Sequence, residues 1–456
     1  MKIVIVPICI FAAGLLSGCD TNALFDSGKA TSEGGVDNSG AVIKNRVESC
    51  PAQAPARCWY AEPGGAGNGD YGSPGSVNAL IPKLSAGDYL FLFQGVYSEY
   101  SVQNGAEYII NINKYVHFTD PQPTREDPVT IAGYQDEQVV IRGDLARECI
   151  LVDGVSHVVF EHMIVEKCFS KGMRVGWDIP QTDIRLNNME FRDIAYFDDS
   201  GFLYVHSYEQ VIVENSVFHD YIPKPVTNQL GSYIKFYRAK DVTVRNNRFY
   251  GAGSGIYYKH GESAVLNGGF TKIYDNRFED LSGHGVSTNQ NRTEIFNNLF
   301  TSNDGVLIHQ EDGSTPPFTQ DVSIHNNTFV HSGIYLRSGS NDGSYMGATG
   351  LGAKYVKVTN NILENSIYSI WPYGSDEQYD EGVYLTSNDN CFFAPDSQIQ
   401  FHYFSSSNFG EKGGSYNFSD WQDLGYDTDS MVSVPQLSAD YEIPADHPCE
   451  PNGWLP

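Results

Sequence analysis

The stretch "VTVRNNRF", residues 242–249, alternates apolar and polar residues, reaches a pair of asparagines and closes on phenylalanine. A period of two is the spacing of a β-strand. The same phrase recurs as "IRLNNMEF" (184–191), "VIVENSVF" (211–218), "TKIYDNRF" (271–278), "TEIFNNLF" (293–300), "VSIHNNTF" (322–329) and "VKVTNNIL" (356–363). The shared column is Asn188, Asn215, Asn246, Asp275, Asn297, Asn326 and Asn360, at steps of 27, 31, 29, 22, 29 and 34 residues. These intervals are too short for a propeller blade and carry no helical pattern, so each repeat reads as one turn of a parallel β-solenoid. Turns stacked about 4.8 Å apart would let this asparagine column hydrogen-bond into a ladder along the axis. Weaker copies at "HVVFEHMIV" (157–165) and "VVIRGD" (139–144) extend the stack toward the N-terminus.

Over residues 57–435 the chain resembles right-handed parallel β-helix proteins. Its entry, "CWYAEPGGAGNGDYGSPGSVNALIPKLSAGDYLFLFQGVYSE" (58–99), looks like that family's glycine-rich turn and capping helix. Its exit, "SDWQDLGYDTDSMVSVP" (419–435), is similar to the segment that often closes these proteins. The expected fold is all-β, a right-handed parallel β-helix with an N-terminal capping helix. Closure at both ends suits a solenoid, whose open turns would expose core and unpaired strand edges.

The opening "MKIVIVPICIFAAGLLSGCD" has a lysine, a short apolar run and small residues before Cys19, the pattern of an export signal. "LLSGC" (15–19) resembles the bacterial lipobox, which implies cleavage before Cys19 and its lipidation. The domain reading is therefore a lipoprotein signal over 1–18, a polar Gly- and Ser-rich tether over 19–48, and the β-helix over 49–456. This places a monomer on a membrane through its lipid anchor, facing the periplasm or the cell exterior, with the inner or outer membrane left open.

Of eight cysteines, Cys9 and Cys19 fall in the signal and at the lipid site; Cys50, Cys58, Cys149, Cys168, Cys391 and Cys449 remain. In an exported chain they suggest disulfides, nearest neighbours pairing in the simplest of several connectivities. The net charge of −27, from 56 acidic against 29 basic residues, argues against a nucleic-acid partner.

A second strand precedes each asparagine strand and begins with glycine: "GFLYVH" (201), "GSYIKF" (231), "GIYYKH" (255), "GVSTNQ" (285), "GVLIHQ" (305) and "GIYLRS" (333). Alignment on that glycine sends its second and fourth residues inward. Phe202, Tyr204, Ser232, Ile234, Ile256, Tyr258, Val286, Thr288, Val306, Ile308, Ile334 and Leu336 would then form the core. The fifth residues, Val205, Lys235, Lys259, Asn289, His309 and Arg337, would form an outward column. The third residues, Leu203, Tyr233, Tyr257, Ser287, Leu307 and Tyr335, would flank it, with His206, Phe236, His260, Gln290, Gln310 and Ser338 beyond.

Such a wall of cations and tyrosines fits an extended acidic polysaccharide, with sugars on aromatic faces and carboxylates on cations. The candidate substrate-binding residues are Tyr233, Tyr257, Asn289, His309, Tyr335 and Arg337. β-Elimination on a uronate needs a cation on the carboxylate, a base for the C5 proton and an acid for the departing oxygen. A lysine serves as base when a neighbouring cation disfavours its charged form, and Lys235 and Lys259 lie one repeat apart.

The pair "YIKF" and "YKHG" resembles the polysaccharide lyase family that contains chondroitinase B and alginate lyases. There a catalytic lysine on one coil is followed on the next by "RHG". The resemblance implies Lys235 as base, Lys259 in the arginine's place and His260 in support. It covers two coils closely, and lysine replaces arginine at 259. The family's calcium site uses two glutamates just before the lysine; here "PVTNQLGSYIK" (225–235) has no acid. No metal ligand is assigned, calcium stays open as a cofactor, and Asp198, Asp199 and Asp220 are its candidates. Glu311 and Asp312 of "HQEDG" (309–313) are candidate hydrolase acids. The expected activity is a lyase on an acidic polysaccharide. The alternatives are a C5-epimerase, which shares the first proton abstraction, a glycoside hydrolase, and a non-catalytic glycan-binding or adhesive lipoprotein.

Overall fold

The computed structural model describes residues 50, 57–103, 106–113, 118–177, 180–195, 201–222, 231–259, 269–309, 319–337, 355–371, 385–393, 400–403, 414–433, 437–449 and 452–454. The chain divides into units Met1–Ser49 and Cys50–Pro456. The expected signal, Cys19 and tether lie outside the described residues, which contain no helix long and apolar enough to cross a membrane.

Residues 58–433 wind through three sheets. The first runs from Cys58–Ala61 to Leu385–Asn388, the second from Gly95–Tyr97 to Met431–Ser433, and the third from Ser101–Gln103 to Gly414–Tyr416. One coil shows the plan: Lys240–Arg245 joins the first sheet, Arg248–Tyr250 the second and Ser254–Tyr258 the third, each beside the same strand of the next coil. Pairing is parallel except at the two ends of the third sheet. There Ser101–Gln103 folds antiparallel onto Ala106–Asn113, and Gly414–Tyr416 onto Gln400–Tyr403. These hairpins cover edges that would otherwise template further strands. The expected capping helix is one turn, Val77–Leu80, continued by a 3-10 turn Ile81–Lys83 that buries Leu80 and Ile81. At the other end the helix Phe418–Asp423 buries Trp421, whose Nε1 donates to Asp427.

The repeats line up as the sequence predicts, but the asparagine ladder is the neighbouring column. Asn188, Asn215, Asn246, Asp275, Asn297, Asn326 and Asn360 all have φ between 51° and 56° and form the bend between first and second sheets. Asn and Asp tolerate this left-handed conformation better than other side chains. The bend turns these residues toward solvent and the next residue inward. Asn247, Asn276, Asn298, Asn327, Asn361 and Asn390 are buried there, the Nδ2 of each of the first five donating to the next Oδ1 at 3.0–3.1 Å. Each Nδ2 from Asn247 to Asn361 also donates to two corner carbonyls, so the column satisfies backbone that the bend leaves unpaired.

Beside it Phe191, Phe218, Phe249, Phe278, Phe300 and Phe329 stack ring on ring at 4.8–5.0 Å. Burying each contributes about 1.5–3 kcal/mol. This ladder accounts for two of the leading glycines. A Cβ on Gly285 would lie 2.6 Å from the Phe300 ring, and one on Gly255 2.8 Å from that of Phe278. The disulfides are Cys50–Cys58, Cys149–Cys168 and Cys391–Cys449, the nearest-neighbour pairing.

The outer face of the second sheet carries a charge ladder. Glu166, almost fully buried, receives Arg142 Nε at 2.7 Å and Arg192 Nε at 2.8 Å. Burial works against its charge, but the two guanidiniums outweigh it and lower its pKa. Arg192 continues to Glu190, and His219 faces Glu190 at 3.2 Å and Asp220 at 2.7 Å while stacking on Tyr250. Burial disfavours the imidazolium, yet these carboxylates prevail and raise the His219 pKa. A raised folded-state value stabilises the protein fully below the unfolded pKa of about 6.5 and is lost as pH rises through the folded one. The stability difference between wild type and His219→Gln should therefore be largest below about pH 6.5 and shrink toward alkaline pH. Denaturant titrations across pH check this; a constant difference would show that His219 does not titrate differently on folding.

Candidate functional site

The outer face of the third sheet holds the expected wall, with its rows reassigned. Ile234 pairs with Ile256 and Phe236 with Tyr258 in the core, which puts Lys235 level with Tyr257 and Lys259 beside Tyr237. Lys235 and Lys259 both belong to the outward side but stand in adjacent rows, two positions out of the expected column. The chain takes two more residues from Gly231 to the core than from Gly255. At the preceding coil the offset is one. Leu203 pairs with Ile234 and Val205 with Phe236, so Leu203 and Val205 are core and Tyr204 faces outward, the reverse of expectation. Tyr233 is also corrected. It is 1% exposed, packed on Phe202, Phe218 and Phe249, and its hydroxyl donates to the carbonyls of Tyr250 and Ala252. It braces a corner and lines no groove.

The reassigned rows converge on Tyr237. Lys235 Nζ lies 5.8 Å from the Tyr237 ring centroid and 5.1 Å from that of Tyr257; Lys259 Nζ lies 5.6 Å from the Tyr237 ring. Lys235 is 5% exposed although its side chain starts on the outer face, while Lys259 is half-buried. Tyr257 stacks on His309 at 5.7 Å and 14°. They meet across an intervening coil whose row position, Ser287, is small. On the other side His206 stacks on Tyr237 at 5.5 Å, and Trp177 lies 5.3 Å from His206. Two lysine amino groups on one phenol ring, between aromatic flanks, make a basic and π-rich centre suited to a carboxylated sugar.

A sequence profile described as "Right handed beta helix region" matches residues 148–329. The fold is a right-handed parallel β-helix. No curated protein sequence matches the chain. Among solved structures it is similar to pectate lyase Pel9A at 14% identity, covering 85% of this chain and 83% of that one, with a TM-score of 0.42. It is also similar to the PL6 family alginate lyase AlyGC at 11% identity, covering 87% and 56%, with a TM-score of 0.47. A third is the mannuronan C-5 epimerase AlgE4 A-module of Azotobacter vinelandii, at 14% identity, 76% and 91% coverage, and a TM-score of 0.37. At these identities the likeness is one of fold.

Elsewhere on the β-helix, Asn289 is buried in the row of Lys259, and His309 follows one coil later. Tyr335 lies further along the row of Tyr257, edge-on to His284 at 5.7 Å. Arg337 ends its strand opposite Trp371; its side chain, like all of His260, Gln310, Glu311, Asp312, Asp198 and Asp199, lies outside the described residues. Asp220 is engaged by His219. Among the described residues there is no group of three or more His, Cys, Asp or Glu placed to hold a metal ion. Sequence reading missed Tyr237 and Trp177. Tyr237 follows Phe236 directly in "YIKFYR", so counting on to the next outward residue after Lys235 would have found it.

Proposed function

We propose that this β-helix cleaves a uronate-containing polysaccharide by β-elimination, with Lys235 as base and Lys259 on the substrate carboxylate. The observation that carries the reading is the shared Tyr237 ring, which holds the two lysines at one point of the outward face. Lys259, with His309 beyond it, meets the carboxylate and stabilises the charge that develops when C5 loses its proton. The neutral Lys235 amine takes that proton. The C4–O bond breaks, its electrons leave with the oxygen, and the C5–H pair becomes the C4–C5 double bond. The departing oxygen then accepts a proton, from the Lys235 ammonium or from solvent. His260 is assigned a supporting role beside Lys259, and calcium enters no step. Lipidation at Cys19 would hold the enzyme on a membrane facing exported glycans.

Incubation with alginate, pectate and glycosaminoglycans, followed by ultraviolet absorbance of the unsaturated product, tests the reading. Lys259→Ala should lower the rate by roughly 10²–10³-fold, while Lys259→Arg, which still pairs with a carboxylate, should keep much of it. Retention of intact chains without product would instead identify a glycan-binding protein.

A further inference from the structure

In a chain of net charge −27, most described arginines sit on a carboxylate, as Arg142, Arg147, Arg185, Arg192, Arg245 and Arg248 do. Arg174 is different. It stands on the outer face of the third sheet, in the row of Tyr204 and Lys235, and forms no salt bridge among the described residues. Its guanidinium lies 4.1 Å over the Trp177 ring, its charge acts on the Tyr108 phenol, and its buried Nε has no hydrogen-bond partner. A nearby carboxylate, Glu148, is held by Lys171 at 3.0 Å. Trp177 is 42% exposed, an uncommon position for an indole on a strand-rich face.

Trp177, His206 and Tyr237 form a continuous aromatic path from this arginine to the lysine pair. Arg174 stands two rungs from Lys235, about 10 Å at the interstrand spacing, or about two sugar units along an extended chain. We propose that Arg174 and Trp177 form an outlying subsite that seats a uronate residue about two units from the point of cleavage. The sugar ring lies against the exposed indole, and its carboxylate takes the guanidinium. The inference rests on the uronate reading of the groove and adds a position and a chain-length requirement to it.

Calorimetric titration of the full-length Lys235→Ala protein, expected to bind with turnover lowered by roughly 10²–10⁴-fold, tests the subsite. The probes are di- and hexasaccharides of mannuronate and of galacturonate, with cellohexaose as the neutral control. Adding Trp177→Ala or Arg174→Gln should weaken hexasaccharide binding about five- to ten-fold and leave disaccharide binding unchanged. Melting temperatures within about 2 °C of the parent confirm the fold, since neither change removes a core side chain. Equal hexasaccharide affinities in parent and variants would overturn the subsite, as would a failure of every uronate to bind. Cellohexaose binding that depends on Trp177 to the same extent would overturn the uronate assignment. If the uronate hexamer binds through Trp177 while the wild type releases no unsaturated product, the elimination reading falls and the subsite stands. If the wild type cleaves normally and the variants bind like the parent, elimination stands and the subsite falls.

Discussion

Lys235→Ala is expected to lower the rate of unsaturated-product formation by roughly 10²–10⁴-fold, the usual worth of a positioned general base. Lys235→Arg should be equally impaired. A guanidinium keeps the positive charge but cannot give up its proton in a protein, so it can neutralise a carboxylate and cannot act as base. The two replacements therefore separate the roles that a lysine can fill here. Loss in both marks a base; substantial activity in the arginine variant would assign Lys235 to carboxylate binding and send the search for a base to Tyr237. Because Lys235 is almost fully buried between two tyrosine rings, each variant needs a melting curve beside its rate. Substrate affinity supplies a second control. If Lys235 acts on the proton, oligosaccharide binding by the alanine variant should fall far less than turnover.

Asn298→Leu is expected to destabilise the β-helix by about 3–5 kcal/mol, because a side chain of similar volume removes every hydrogen bond of a carboxamide from a dry corner. Asn298 Nδ2 donates to the Ile273 and Phe296 carbonyls and to Asn327 Oδ1, and its Oδ1 accepts from the backbone and side-chain nitrogens of Asn276. Leucine leaves those donors and carbonyls buried without partners. Asn297→Gly, one residue earlier, is the informative contrast. Asn297 has φ 51°, glycine accepts that conformation without strain, and the side chain bonds Asp275 at the surface rather than in the dry corner, so the change should cost less than about 1 kcal/mol. Guanidinium titration followed by circular dichroism measures both. Coils of a solenoid can unfold in sections, and limited proteolysis locates the loss. A mild Asn298 variant would mean that water replaces the ladder.

Much of this was legible beforehand. Strand identity and the length of each repeat follow from local pattern, the closing elements at both ends from the family resemblance, and the nearest-neighbour cysteine pairing was the simplest of several left open. "VTVRNNRF" and its copies place apolar residues two apart because each strand has one wet and one dry face. The asparagine pairs were visible too, but which member bends and which bonds was not. Both residue types look alike in sequence, and only the left-handed backbone at Asn246 tells that Asn247 turns inward. The Lys235 and Lys259 pair was found on the correct side of the sheet, since an offset of two preserves the alternation. At Gly201 the offset of one reversed it, and Tyr204 was placed inside.

The sequence alone therefore determined the periodic part: a β-helix whose coils each offer a polar strand face with cations and tyrosines. Tertiary structure decided the phase of each coil against the next. Alternation along a strand is local and is repeated in every coil, whereas the number of residues spent at a corner before the strand enters the sheet varies. Ile234 lies three positions after Gly231 and Ile256 one position after Gly255, yet these isoleucines pair. That difference brings Tyr237 between the two lysines, and it is set by how neighbouring coils pack rather than by any period within one of them.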